Sequence, residues 1–171
     1  FPKGSYMKAV ADKPAEFDQA MAALNAKKYD DAIKLFNGII ASLRGLDWDV
    51  AAARELPKAL LGKGDAEGAV QAYDRLFLLS PAEKQNSDVA WAHRRAMLQA
   101  KQYAGLIRQL DAVAAAGNRP DAARAQIMRG DIQLAQNNLE QAAMDYLRTA
   151  ILFQDVTDPL IQGEAHFKAA S

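Results

Sequence analysis

Apolar residues recur at three- and four-residue spacing along most of the chain, as in Ala32, Leu35, Phe36, Ile39, Ile40 and Leu43. That is the period of a helix with one buried face. The pattern predicts helices in pairs, the first members over residues 14–26, 50–62, 87–100 and 120–136 and the second over 29–44, 66–79, 103–115 and 139–153. Pro14, Pro120 and Pro159 stand near predicted helix starts, where a missing amide costs nothing. Ser80-Pro81 and Gly117-Asn118 mark helix ends. From Pro159 to Ala170 the pattern begins a ninth helix, which the chain cuts short.

The pairs repeat. Each second helix opens on a polar or glycine turn, then an alanine or leucine, then an aromatic or leucine four residues later. The four versions are Lys28-Tyr29-Asp30-Asp31-Ala32 to Phe36, Lys63-Gly64-Asp65-Ala66 to Tyr73, Lys101-Gln102-Tyr103 to Leu110, and Asn137-Asn138-Leu139 to Tyr146. Aligned on Ala32, Ala69, Leu106 and Ala142, the intervals are 37, 37 and 36 residues. A helix pair that recurs at such a period cannot bury its apolar face alone, so neighbouring pairs must stack. The fold class expected is all-α, an α-α superhelix (solenoid) of about four helix pairs plus a C-terminal helix. The repeats fall at about 13–48, 49–85, 86–119 and 120–155, with a partial fifth at 158–171 and an N-terminal extension at 1–12.

The segment Gly64-Asp65-Ala66-Glu67-Gly68-Ala69 through Tyr73, Leu76 and Leu79 to Pro81 resembles the tetratricopeptide repeat, as does Gly130 to Tyr146. The resemblance covers about residues 13–155. It implies that Ala20 and Gly130 are the small residues of first helices that accept Ala32 and Ala142 of second helices. Two departures stand out. Pro57 falls where a small residue is expected, which predicts a kink or a late helix start, and the third repeat has Leu106 and Leu110 in place of alanine and an aromatic. Phe1-Pro2-Lys3 and Arg44-Gly45-Leu46-Asp47-Trp48 resemble segments of a bacterial group of such proteins. Together with a start at Phe1, they lean the reading towards a processed or excised chain of the bacterial periplasm or cell envelope, with the cytoplasm as the alternative.

The resemblance further implies a concave face lined by the first helices. In repeat phase the residues expected there are Phe17, Met21, Arg54, Lys58, Trp91, Arg95, Ile127 and Asp131. Arg54, Lys58 and Arg95 around Trp91 suit an extended acidic segment or a terminal carboxylate, because guanidinium forks match carboxylates and Arg and Trp dominate binding hot spots. The same cations at helical spacing also read as a solvated face, and Trp91 reads as a packing residue if the register slips by one. Trp48 is expected to plug the linker between the first two repeats.

Composition adds mainly exclusions. Lys+Arg and Asp+Glu both number 21, so nothing favours nonspecific nucleic-acid binding. Without cysteine there are no disulfides, thiolate zinc sites or cysteine nucleophiles. No apolar run is long enough to span a membrane. The two histidines, His93 and His166, lie far apart and in no metal-ligand spacing, and Gly62-Lys63-Gly64-Asp65 lacks the Lys-Ser/Thr pair of a phosphate loop. No cofactor, metal or catalytic residue is expected. The function expected is a non-catalytic protein-interaction scaffold whose partner is another protein. Two alternatives are an assembly module that self-associates through its repeat ends, with Leu160, Ile161 and Phe167 exposed, and an accessory domain of a larger envelope protein.

Overall fold

The computed structural model describes residues 12–42, 47–156 and 159–170, with side chains from Ile161 onward in the last segment. The N-terminal extension through Ala11 and the Arg44-Gly45-Leu46 segment lie outside the described residues, as does the Leu160 side chain. Among the described residues there are nine α-helices: α1 (Ala15–Asn25), α2 (Tyr29–Ser42), α3 (Asp47–Lys63), α4 (Ala66–Leu79), α5 (Ser87–Gln99), α6 (Tyr103–Ala115), α7 (Arg119–Ala135), α8 (Leu139–Leu152) and α9 (Pro159–Ala170). A short 3-10 turn, Pro81–Gln85, follows α4, and no strand is present among these residues. The fold class is the all-α helical repeat that the periodicity predicts.

The chain divides into two compact units, residues 1–100 and 101–171. In the first, α1, α2, α3, α4 and α5 pack in sequence, each on the next. In the second, α6 packs on α7, α7 on α8, and α8 on α9. The boundary falls inside the third repeat, between α5 and α6. In this repeat Arg94 stands at the repeat position of Ala20 and Gly130, and Leu106 at that of Ala32 and Ala142.

The repeat interval is visible in the backbone. Lys27, Gly64, Lys101 and Asn137 all adopt positive φ, at 58°, 91°, 57° and 63°. Their spacing of 37, 37 and 36 residues is that of the aligned alanines. Each ends a first helix in the left-handed conformation, which lets the chain reverse in two or three residues. The next amide then reaches back five residues: Lys28 N–H donates to the Ala23 carbonyl at 2.8 Å, Asp65 to Leu60 at 2.9 Å and Asn138 to Gln133 at 2.8 Å. Lys101 in this series fixes the register of the third repeat, and Leu106 and Leu110 are both fully buried.

Side chains follow the same interval. Ala32, Ala69, Leu106 and Ala142 are buried, as are Phe36, Tyr73, Leu110 and Tyr146 one turn later. Burying a side chain of the larger set contributes about 1.5–3 kcal/mol each. Gly130 is buried beneath the Tyr146 ring, and a Cβ there would collide with it. Gly62 stands in the same relation to Tyr29 of α2.

Three expectations need correction. The helix that carries Pro57 does not begin late: α3 runs from Asp47 to Lys63 with Pro57 buried inside it, where the compact ring fills the small-residue slot. Trp48 lies in the first turn of that helix rather than in a linker, half-buried with its ring 5.2 Å from that of Phe17. Ile161 is buried in α9, whereas Phe167 is 75% exposed.

A non-glycine residue in the left-handed region costs about 1–2 kcal/mol. Lys27→Gly and Asn137→Gly should therefore stabilise their units by up to about 1 kcal/mol, after the entropy that glycine adds to the unfolded chain. Gly64→Ala should destabilise by about 1–2 kcal/mol. Urea midpoints of the three variants check both signs.

Candidate functional site

The first helices supply the predicted face, and in the first unit they bring four of its residues onto α3 and α5. Arg54 of α3 is already engaged. Its Nε donates to Glu83 Oε2 at 3.0 Å and its Nη2 to Glu83 Oε1 at 2.6 Å, a two-pronged pair with the 3-10 turn. Glu83 is only 8% exposed. Hydrogen bonding to Glu83 raises the Arg54 pKa against the lowering effect of burial. Lys58, one turn further on, is exposed and donates to both oxygens of Glu55 at 2.8 Å. Trp91 is 5% exposed and packs in the core with the Arg94 guanidinium 4.7 Å above its ring. Trp91 is therefore a packing residue in this conformation, the reading that a one-residue slip would have given, although the register itself holds.

Arg95 differs from all of these. It is exposed and makes no hydrogen bond or ion pair among the described residues. Beside it lies Tyr73 of α4, itself only 2% exposed. Burial pushes the Tyr73 hydroxyl pKa up, the positive charge of Arg95 opposes that shift, and Glu55 reinforces it. The charges of Arg95 on α5 and Glu55 on α3 are thus both felt at the Tyr73 hydroxyl on α4. Periodicity singled out the cations of this group. Tyr73 and Glu55 escaped it, because Tyr73 reads as a core aromatic and Glu55 as an ordinary surface acid.

The remaining predicted residues do not add to this cluster. Phe17 packs against Phe36 and Trp48, with ring centroids 6.1 and 5.2 Å away, and Met21 lies partly buried on the same core. In the second unit Ile127 is 3% exposed and belongs to the core, so it offers no side chain to a partner. Asp131 is consumed internally: it accepts from the Tyr146 hydroxyl at 2.8 Å and from Lys168 Nζ of α9 at 2.6 Å. Burial, and next the Asp131 carboxylate, push the Tyr146 pKa well above the ordinary tyrosine value.

His93 is a buried group apart from this site. Its ring lies 5.7 Å from Tyr73 and 5.2 Å from Phe77 between α5 and α4, with Nε2 3.4 Å from Asp74 Oδ1 and no hydrogen bond. Burial lowers its pKa, partly offset by Asp74. Among the described residues no three His, Asp or Glu side chains gather as a metal site, and no helix is long and apolar enough to cross a membrane.

Residues 90–158 match the family described as Tetratricopeptide repeat. Neither the curated proteins nor the solved structures compared with the chain gave a match.

Two outcomes follow from this geometry. Glu83→Ala should cost about 1–3 kcal/mol, because it removes a charge-assisted pair held by a buried carboxylate, whereas Lys58→Ala should change stability by no more than about 0.5 kcal/mol; thermal midpoints separate the two. The folded chain resists protonating His93, so the unfolded chain binds more protons below the ordinary histidine pKa of about 6.5. Stability should therefore fall as pH drops from 7 to 5.5, and His93→Gln should flatten that slope in urea titrations.

Proposed function

We propose that this chain, a member of the tetratricopeptide-repeat family, is a scaffold that binds an extended acidic segment of another protein on the first-helix face of residues 1–100. Repeats of this family mediate protein–protein contacts and are typically non-catalytic. The finer reading rests on one observation. Arg95 is an exposed guanidinium without an internal partner, on a face whose other cations are matched, Arg54 by Glu83 and Lys58 by Glu55. Exposed long cations cost side-chain entropy when held in place, and a carboxylate that meets the guanidinium with both oxygens offsets that cost. Lys58 is held by an exposed i,i+3 pair, which is weak enough to exchange for a stronger partner.

A second reading has its own observation. Phe167 stands 75% exposed on α9, and a large exposed ring suits contact between copies. Self-association through α9 would show as a mass that rises with concentration in sedimentation and is abolished by Phe167→Glu.

An array of ten-residue peptides of graded net charge tests the main proposal. Retention should rise with acidic content for the wild-type chain and fall at least tenfold for Arg95→Glu, at unchanged thermal midpoint. Retention that ignores peptide charge, or that survives Arg95→Glu, contradicts it.

A further inference from the structure

The two units carry a related constellation: a tyrosine in both, a cation one repeat further along in both, and a lysine in the first where the second has an aspartate. The positions 58, 95, 131 and 168 recur at intervals of 37, 36 and 37, so Lys58, Arg95, Asp131 and Lys168 are repeat equivalents on successive first helices. Tyr73 and Tyr146 are likewise equivalent on second helices. In the second unit the group is complete. The Asp131 carboxylate accepts from the Tyr146 hydroxyl at 2.8 Å and from Lys168 on the next first helix at 2.6 Å, and the Lys168 ammonium also lies 5.6 Å from the centre of the Tyr146 ring. One carboxylate thus joins a tyrosine hydroxyl to a cation one repeat further along.

In the first unit the hydroxyl and the cation are present and the carboxylate is not. Tyr73 stands for Tyr146 and Arg95 for Lys168, but Lys58 occupies the position of Asp131. The Tyr73 hydroxyl has no hydrogen-bond partner among the described residues, and Arg95 has no counter-charge. The charge of Glu55 reaches the same hydroxyl without a hydrogen bond to it, and Lys58 holds both Glu55 oxygens at 2.8 Å. Repeat equivalence therefore leaves a phenol donor and a guanidinium at the positions where a phenol and an ammonium bind a carboxylate in the other unit.

We infer that Tyr73 and Arg95 together take a carboxylate side chain of the partner, in the manner in which Tyr146 and Lys168 take Asp131. The inference rests on the acidic-segment reading above and narrows it. One aspartate or glutamate of the partner is the anchor, Tyr73 and Arg95 both donate to its carboxylate as Tyr146 and Lys168 both donate to Asp131 Oδ1, and Lys58 supplies further positive charge. Binding is confined by this to the first unit, because the equivalent donors of the second are spent on Asp131.

Two fluorescein-labelled ten-residue peptides probe this, one alternating glycine with glutamate and the other glycine with glutamine. Anisotropy at low salt should show the glutamate peptide bound at least tenfold more tightly by the wild-type chain. Tyr73→Phe, which removes one oxygen and no charge, should weaken it by about three- to tenfold, and Arg95→Gln by tenfold or more. Weakening by Arg95→Gln with Tyr73→Phe indistinguishable from wild type would overturn the shared-carboxylate inference and leave the acidic-segment reading standing. Equal affinity for both peptides would overturn that reading as well. A second measurement needs no ligand. Lys58→Asp places a carboxylate at the position of Asp131, so its effect on the thermal midpoint should be more favourable by about 2–4 °C in the Tyr73 chain than in the Tyr73→Phe chain. Equal effects in the two backgrounds would overturn the inference whatever the peptides do.

Discussion

Close approach between a small residue on one helix and an aromatic or small residue on its neighbour is the constraint on which this fold depends. Ala20, Ala32, Ala69 and Ala142 are buried with almost no exposed surface, and Gly130 and Gly62 sit directly beneath tyrosine rings. Such contacts bring backbones near enough for side chains one turn away to interlock at interior density. The left-handed residue that closes each first helix serves the same end, because it returns the chain within two or three residues and fixes the register of the following helix.

That constraint also decides which polar residues are available. Side chains at equivalent repeat positions meet equivalent surroundings, so a change of residue type at one position changes what the site lacks. At position 131 a carboxylate closes a hydrogen-bonded group between α7, α8 and α9. At position 58 a lysine leaves Tyr73 and Arg95 without one. Arg54, by contrast, is matched by Glu83 within its own unit, and its charge is thereby spent on holding the 3-10 turn to α3 rather than offered to solvent.

Much of the architecture was legible from period alone, since helical spacing and a 37-residue interval locate eight of the helices within three residues at either end. Pro57 suggested a kink or a late helix start; α3 instead starts at Asp47, ahead of the proline, which is buried inside it. Trp48 misled because α3 starts at Asp47, three residues ahead of the predicted start at residue 50. The site was only half legible. Arg95 and Lys58 follow from repeat phase, but burial separates them from Trp91 and Ile127, and phase carries no information on burial within a single turn. The pairing of Arg54 with Glu83, 29 residues away, and of Asp131 with Lys168, 37 away, is a tertiary fact. The second lies one repeat interval apart, and a comparison of charges at equivalent positions would have found it.

The central claim is that one repeat position is satisfied internally in the second unit and open to a partner in the first. Carbon-13 labelling of the tyrosine rings tests it most directly, by following each hydroxyl through alkaline titration in the free chain with Tyr73→Phe and Tyr146→Phe as assignments. Tyr146, donating to Asp131, should hold its proton to higher pH than Tyr73, whose ionisation the Arg95 charge favours. Tyr73 ionising at or above the pH of Tyr146 would contradict the account.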